Sequence, residues 1–256
     1  MNVYVSLTSI FQNQNELLKT LRSIKKQIMK PKKVFLYLSE KPYLLDNGFA
    51  NKIITNEALH NFLRNNNEFI EVRWTENEGP YRKLIPILKE KWDEDCIIIT
   101  IDDDTEYVDN LILNLVNDYK QQNCVVCYRG YTPNITKIED ITYENFKPRI
   151  NRYLYNLPTG KGGILYHPSF FKKTGDLIFS KELYLEISKT TDDLWFFMVR
   201  VCNNIDCYMP KKQWKKADNT TKHGLYRNIN SKNDTNTKCL KNIVNAFKKS
   251  GYLKPT

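Results

Sequence analysis

Three consecutive aspartates, Asp102, Asp103 and Asp104, follow directly on the run Ile97, Ile98, Ile99, Thr100 and Ile101. Residues suited to a buried strand thus end in adjacent carboxylates, which repel one another and are costly to desolvate without a cation. In open α/β sheets, ligands bind beyond the carboxyl ends of the strands. A hard divalent cation takes oxygen ligands, and Mg²⁺ is usually held by one or two carboxylates together with substrate phosphates. The run therefore points to metal-assisted handling of a phosphorylated ligand. The plainer alternatives are a solvated acidic turn or an aspartate capping a helix that begins near Tyr107. A second acidic pair, Asp192 and Asp193, opens the run Leu194, Trp195, Phe196 and Phe197, which has the polar start and apolar face of a helix with Thr191 or Asp192 as its cap.

These residues need a scaffold, and the periodicity of the first half supplies one. Residues 3–10 are rich in β-formers, and apolar residues at Leu17, Leu18, Leu21, Ile24 and Ile28 mark one face of a helix over 16–29 that Pro31 ends. A strand follows at 33–39, then a helix over 56–63, a strand at 69–74, a helix over 81–92, the strand 96–100 that delivers the aspartates, a helix over 107–122 and a strand at 124–130. This alternation predicts an α/β fold whose mainly parallel sheet is flanked by helices over residues 1 to about 130. Beyond Gly130 the pattern loosens, as an elaboration of the first half.

At 256 residues, with 41% hydrophobic and 12% aromatic residues, the chain is long and apolar enough for a substantial core. No apolar run approaches the roughly 20 residues of a membrane span, and no charged region precedes the apolar start, so a cytoplasmic location is expected. Cys124 and Cys127 form a C-x-x-C with no second pair nearby, and the six cysteines read as buried thiols in preference to a zinc site or a disulfide framework. The net charge of +10 resides in residues 211–256, where eleven lysines and one arginine face only Asp218 and Asp234. Such a basic end suits an anionic membrane surface, a nucleic acid or a diphosphate-bearing ligand.

Taken in order, Val5 to Ile10 (VSLTSI), Gly79 to Leu84 (GPYRKL), Ile101 to Asp104 (IDDD), Thr159 to Pro168 (TGKGGILYHP), Thr191 to Phe196 (TDDLWF) and His223 to Leu225 (HGL) resemble the motifs of small GT-A fold glycosyltransferases related to family 2. The resemblance implies a Rossmann-like GT-A domain over 1–210, with a nucleotide-binding half to about 130 and an acceptor half over 131–210. It implies Mn²⁺ or Mg²⁺ on Asp104, Asp102 and His223, with Asp102 also near the ribose and Asp103 a nucleotide contact. Leu7, Thr8 and Ser9 would cradle base and ribose, Arg82 and Lys83 would reach the donor, and Gly162 and Gly163 with Gly160 would wall the place where donor and acceptor meet. Asp193, or else Asp192, would be the base of an inverting transfer. The donor implied is a nucleotide-diphosphate sugar, a UDP-sugar foremost, and the acceptor a glycan or lipid-linked hydroxyl. The basic segment 211–256 would close over the site or touch an anionic membrane surface, which places the protein in the cytoplasm or at the inner face of a membrane.

Two other readings are weaker. A phosphatase of the haloacid dehalogenase type needs Thr or Val where Glu106 stands, and carries its aspartates near the amino terminus. A nucleic-acid-binding protein rests on the basic tail alone, since residues 1–210 balance 27 basic against 27 acidic side chains and offer no basic stripe, so no nucleic-acid partner is expected.

Overall fold

The strands with the longest apolar runs form the floor of the molecule. In a computed structural model that describes residues 1–253, the strands in chain order are β1 (Asn2–Thr8), β2 (Lys33–Leu38), β3 (Ile70–Trp74), β4 (Cys96–Thr100), β5 (Thr105–Tyr107), β6 (Val125–Cys127), β7 (Gly130–Pro133), β8 (Phe146–Lys147), β9 (Arg152–Tyr153), β10 (Leu157–Pro158), β11 (Ile164–Tyr166), β12 (Cys207–Tyr208) and β13 (Lys215–Asp218). The helices are α1 (Gln14–Lys25), α2 (Glu57–Arg64), α3 (Ile85–Glu90), α4 (Leu111–Gln122), α5 (Lys181–Ile187), α6 (Asp192–Cys202) and α7 (Thr235–Lys249).

Eight strands build the central sheet in the order β3-β2-β1-β4-β11-β6-β12-β9. The first four are parallel, as their length and alternation with helices required. β1, β2 and β4 are buried almost throughout because helices cover both faces, whereas β3 at the edge is half-buried beyond Ile70. β11 then runs antiparallel between β4 and β6, so the strand expected to continue the parallel set does not touch β4. The chain moves outward from β1 to β2 and β3, then returns to place β4 on the other side of β1. The crevice between the carboxyl ends of β1 and β4 is thus a topological switch point, where α/β sheets bind ligands.

Several helices are shorter than their periodicity suggests, for local reasons. The segment expected as one helix over 81–92 is a 3-10 turn, Gly79–Lys83, followed by α3, with Pro80 and Pro86 each near a start. The helix expected from 107 begins at Leu111, because Thr105–Tyr107 forms β5, and none of the three aspartates caps it. Its exposed start is served by α1 instead. Thr20, Ser23 and Gln27 lie on the buried side of α1 or just past it: Thr20 Oγ1 donates to the carbonyls of Asp103 (2.8 Å) and Thr105 (2.9 Å), Ser23 Oγ accepts from Tyr107 N–H (3.1 Å), and Gln27 Oε1 accepts from Ile112 N–H (3.0 Å). A polar stripe among leucines therefore satisfies the irregular backbone that follows the strand-end aspartates. All six cysteines are free thiols.

Two smaller sheets complete the fold. β10, β7 and β8 form an antiparallel sheet, and β13 pairs antiparallel with β5 through a bulge between Lys215 and Ala217. α6 is buried on nearly all sides, and Trp195 meets Phe247 of α7 edge to face at 5.1 Å. The basic carboxyl-terminal segment is thus part of the packed core and of the wall above the crevice. Among the described residues no helix is long and apolar enough to cross a membrane.

Candidate active site

Beyond the switch point lies a cavity of about 560 Å³, a size that suits a nucleotide-sized ligand. Thr8, Ser9, Arg82, Lys83, Asp102, Asp103, Asp104, Asp192, Asp193 and His223 all line it. Residues 120 positions apart are therefore brought to one hollow. Leu7 is fully buried in the sheet and Gly162 and Gly163 stand outside the lining, so these three act through backbone and packing. A Cβ on Gly162 would lie 2.5 Å from the backbone nitrogen of Arg129, and one on Gly160 would lie 2.5 Å from Lys83 Nζ and 2.6 Å from Asp102 Oδ1. The close approach these glycines permit is to the protein itself.

Lys83 is the centre of the charge arrangement. Its side chain is 7% exposed, and its ammonium lies 3.1 Å from Asp102 Oδ1, 3.1 Å from Asp192 Oδ2 and 3.7 Å from Asp193 Oδ1. Burial alone would lower the ammonium's pKa, but the three carboxylates outweigh it and hold it well above its ordinary value. The side chain reaches both acidic groups because Tyr81, two residues earlier, stacks on Tyr184 at 4.0 Å and hydrogen-bonds Ser188 Oγ at 2.7 Å, fixing the turn against the approach to α6.

The strand-end aspartates point three ways. Asp102 faces Lys83. Asp103 turns inward, accepting from Ser9 Oγ and from Asn13 Nδ2 (3.2 Å), and burial, with Asp104 beside it, pushes its pKa up to about 7 against those hydrogen bonds. Asp104 lies 3.6 Å from Lys161, whose ammonium also meets Asp218 at 2.7 Å, and its pKa is raised by burial and by Asp102 despite that lysine.

At the start of α6 the pair differ. Asp192 is covered and bound to Lys83; Asp193 is 26% exposed in its side chain and accepts Gly160 N–H at 3.1 Å. Burial raises both, with Lys83 opposing, and Asp193 reaches about 7. Thr191 makes no side-chain cap. Arg82, the neighbour of Lys83, is consumed within the protein: its guanidinium donates to Gly79 O (2.9 Å), Ser39 Oγ (2.7 Å) and Asp46 Oδ2 (3.1 Å), tying the loop after β2 to the end of β1.

Among the described residues no three His, Cys, Asp or Glu side chains converge as a preformed metal-ligand set. His223 shares the cavity wall with Asp104, and its backbone N–H donates to Thr221 Oγ1, which in turn donates to Asn13 Oδ1 (3.0 Å). The donor chemistry nevertheless suits a hard cation: Asp104 offers carboxylate oxygens whose ionised form burial and Asp102 disfavour, a cost that a divalent charge would relieve.

Four residues of this site carried weak signals in the sequence. Lys161 stands between two of the glycines, Asp218 is one of two acids in a basic tail, Asp46 belongs to an Asp-Asn-Gly turn, and Asn13 precedes α1. Each matters through a partner distant in sequence.

No protein-family model and no curated protein matches the chain. Solved structures do. Staphylococcus aureus TarS 1-349 in complex with UDP superposes with a TM-score of 0.54 at 17% identity, over 84% of this chain and 59% of that one. The same protein in complex with UDP-GlcNAc gives 0.52 at 15% identity, over 87% and 60%. The 4-diphosphocytidyl-2C-methyl-D-erythritol synthase of Anaerococcus prevotii gives 0.55 at 14% identity, over 89% and 96%. This chain thus spans about three-fifths of the TarS fragment. TarS is a GT-A-type glycosyltransferase, and the common ground of these structures is the fold: this chain has a GT-A-like fold, Rossmann-like and with a mainly parallel central sheet.

Proposed function

We propose that the protein is a glycosyltransferase that moves a sugar from a nucleotide-diphosphate donor, a UDP-sugar foremost, to a hydroxyl of a glycan or glycolipid. The observation that carries this reading is the placing of two carboxylate groups, Asp102 to Asp104 and Asp192 with Asp193, across one cavity with Lys83 between them. The TarS complexes with UDP and UDP-GlcNAc support the choice of donor. The nucleotidyltransferase neighbour shares the fold, but nucleotidyl transfer has no need of a carboxylate with raised pKa opposite the strand-end aspartates.

In this scheme Asp104, with Asp102 and His223, would hold Mn²⁺ or Mg²⁺, and the cation would supply Lewis-acid neutralisation of the diphosphate. Thr8 and Ser9 border the nucleoside, and Lys83 orients Asp102 and Asp192. The acceptor oxygen attacks the anomeric carbon, the bond from that carbon to the diphosphate oxygen breaks, and its electron pair leaves with the nucleoside diphosphate. Asp193 takes the acceptor proton. Of the two acids it is the better base, because it is more exposed, less tied to Lys83 and titrates near neutrality, where general bases work best. Attack from the face opposite the leaving group inverts the anomeric centre.

Thermal unfolding in the presence of nucleotide sugars, with and without Mn²⁺, tests the scheme. A donor at a hundred times its Kd stabilises the fold by about 2.7 kcal/mol. We expect such stabilisation to need both one nucleotide sugar and the metal, and Asp104→Ala to remove it. Equal stabilisation of Asp104→Ala and the unaltered protein would reject the assignment.

A further inference from the structure

A second cation-rich surface lies away from the basic tail. Between Leu17 and Ser39 the chain carries six lysines and one arginine and no acidic residue. Among the described residues none of these seven has a carboxylate within ion-pair distance. In the basic tail Lys212, Lys215, Lys216 and Lys248 are paired with Asp118, Asp218, Asp109 and Glu139, and the described cations without such a partner are spread over roughly twice the length of chain.

Lys19, Arg22 and Lys26 follow one another along the outer face of α1 at spacings of three and four, and all three are exposed. They border a hollow of about 150 Å³ with Ser23, Glu106 and Lys216. Opposite them Lys216 is paired with Asp109 at 2.6 Å, and Glu106 accepts from Asn219 Nδ2 at 3.1 Å without a cation partner. The hollow is therefore left with three unpaired cations against one carboxylate. Just past the helix, Ile28 is 67% exposed amid Lys25, Lys26 and Lys30.

We propose that the outer face of α1 and the turn that leaves it dock the protein on an anionic lipid bilayer, with Lys19, Arg22 and Lys26 gripping lipid phosphates and Ile28 entering the headgroup layer. Lysines near an anionic leaflet are attracted strongly and without fixed geometry, and six of these seven cations are lysines. A single-stranded nucleic acid would draw on stacking rings, and the nearest ones are taken: Lys25 lies over Phe69 at 4.7 Å and Lys32 over Tyr4 at 6.0 Å. Asn13, at the start of α1, touches Asp103, whereas Lys26 lies about 20 Å further along at 1.5 Å per residue, so a bilayer along α1 meets the cavity at its edge. The docking stands apart from the transfer reaction and is read without substrate.

Co-sedimentation with vesicles tests it, using phosphatidylcholine alone and phosphatidylcholine with about one-third phosphatidylglycerol. The unaltered protein should bind the anionic vesicles only, and release as salt rises to roughly 0.5 M. Lys19→Glu/Arg22→Glu/Lys26→Glu, with its melting curve unchanged, should bind about a hundredfold more weakly. Ile28→Ser should weaken binding severalfold with the salt response intact. Lys238→Glu/Lys241→Glu on the exposed face of α7 should bind as the unaltered protein. Failure of the unaltered protein to bind anionic vesicles, retention of binding by the α1 variant, or loss by the α7 variant overturns the proposal. So does tighter binding to short single-stranded or duplex nucleic acid than to the vesicles.

Discussion

The strand-end aspartates and the aspartates at the start of α6 face the same cavity, yet they are held differently. Asp102, Asp103 and Asp104 have polar partners, Ser9 and Asn13 on a side chain and Thr20 and Tyr107 along the backbone, beside the ammonium groups of Lys83 on Asp102 and Lys161 on Asp104. Asp192 and Asp193 have a helix start behind them, whose field favours ionised acids. Burial nevertheless outweighs that field, and both are raised, Asp193 to about 7. Their anchor is borrowed charge, the ammonium of Lys83 carried in from the other half of the chain. On the proposed reading the first group attends a cation and the second a proton, although burial raises Asp103 and Asp104 as it raises Asp193, so one residue type serves two tasks set by what stands beside it.

The contrast is broken most completely at Asp193. Asp193→Asn should lower the rate of transfer by about a thousandfold with donor affinity kept, since general-base catalysis supplies roughly 10² to 10⁴. A greater loss in Asp192→Asn would exchange their roles. In the unaltered enzyme the rate should fall as pH drops through about 7, because the working form of Asp193 is ionised. Stability should move the other way. The folded pKa of Asp193 lies above its ordinary value of 3.8, so its contribution to stability is full below about 4 and is lost as pH rises through about 7. Parallel pH profiles for rate and melting temperature would contradict this.

Lys83→Met removes the shared anchor. With the ammonium gone the carboxylates of Asp102, Asp192 and Asp193 face one another in a buried site, and the fold should lose about 3 kcal/mol by denaturant titration at pH 8. The loss should shrink at pH 5, where the raised acids accept protons; an equal loss at both values would show that Lys83 acts by packing alone. The smallest effect is expected at Asp218, whose side chain is 36% exposed and shares Lys161 with Asp104. Asp218→Asn should cost under about 1 kcal/mol of stability and change transfer only severalfold.

Much of this was legible in the residues. Apolar run length gave β1 to β4, and adjacent carboxylates after β4 announced a cation-seeking site. The pairing of Lys83 with α6 was hidden, since it depends on Tyr81 stacking upon Tyr184 more than 100 positions away. So was the polar stripe of α1, where Thr20, Ser23 and Gln27 interrupt a leucine pattern for the sake of a backbone elsewhere. Proline kept the segment before β4 from forming one helix, and β5 replaced the expected first turn of α4 because its partner strand comes from the tail. In each case the deciding contact is long-range, and local propensity has no access to it.

The pairing of β5 with β13 also sets a clock. Thr105 to Tyr107 find their partner strand in Lys215 to Asp218, on the far side of two other sheets' worth of chain. Such high contact order delays closure. During synthesis the switch-point crevice can form early, from β1 and β4, while one wall is still missing. On the proposed activity, transfer would wait until the segment that meets Asp104 through Asn219 has been made.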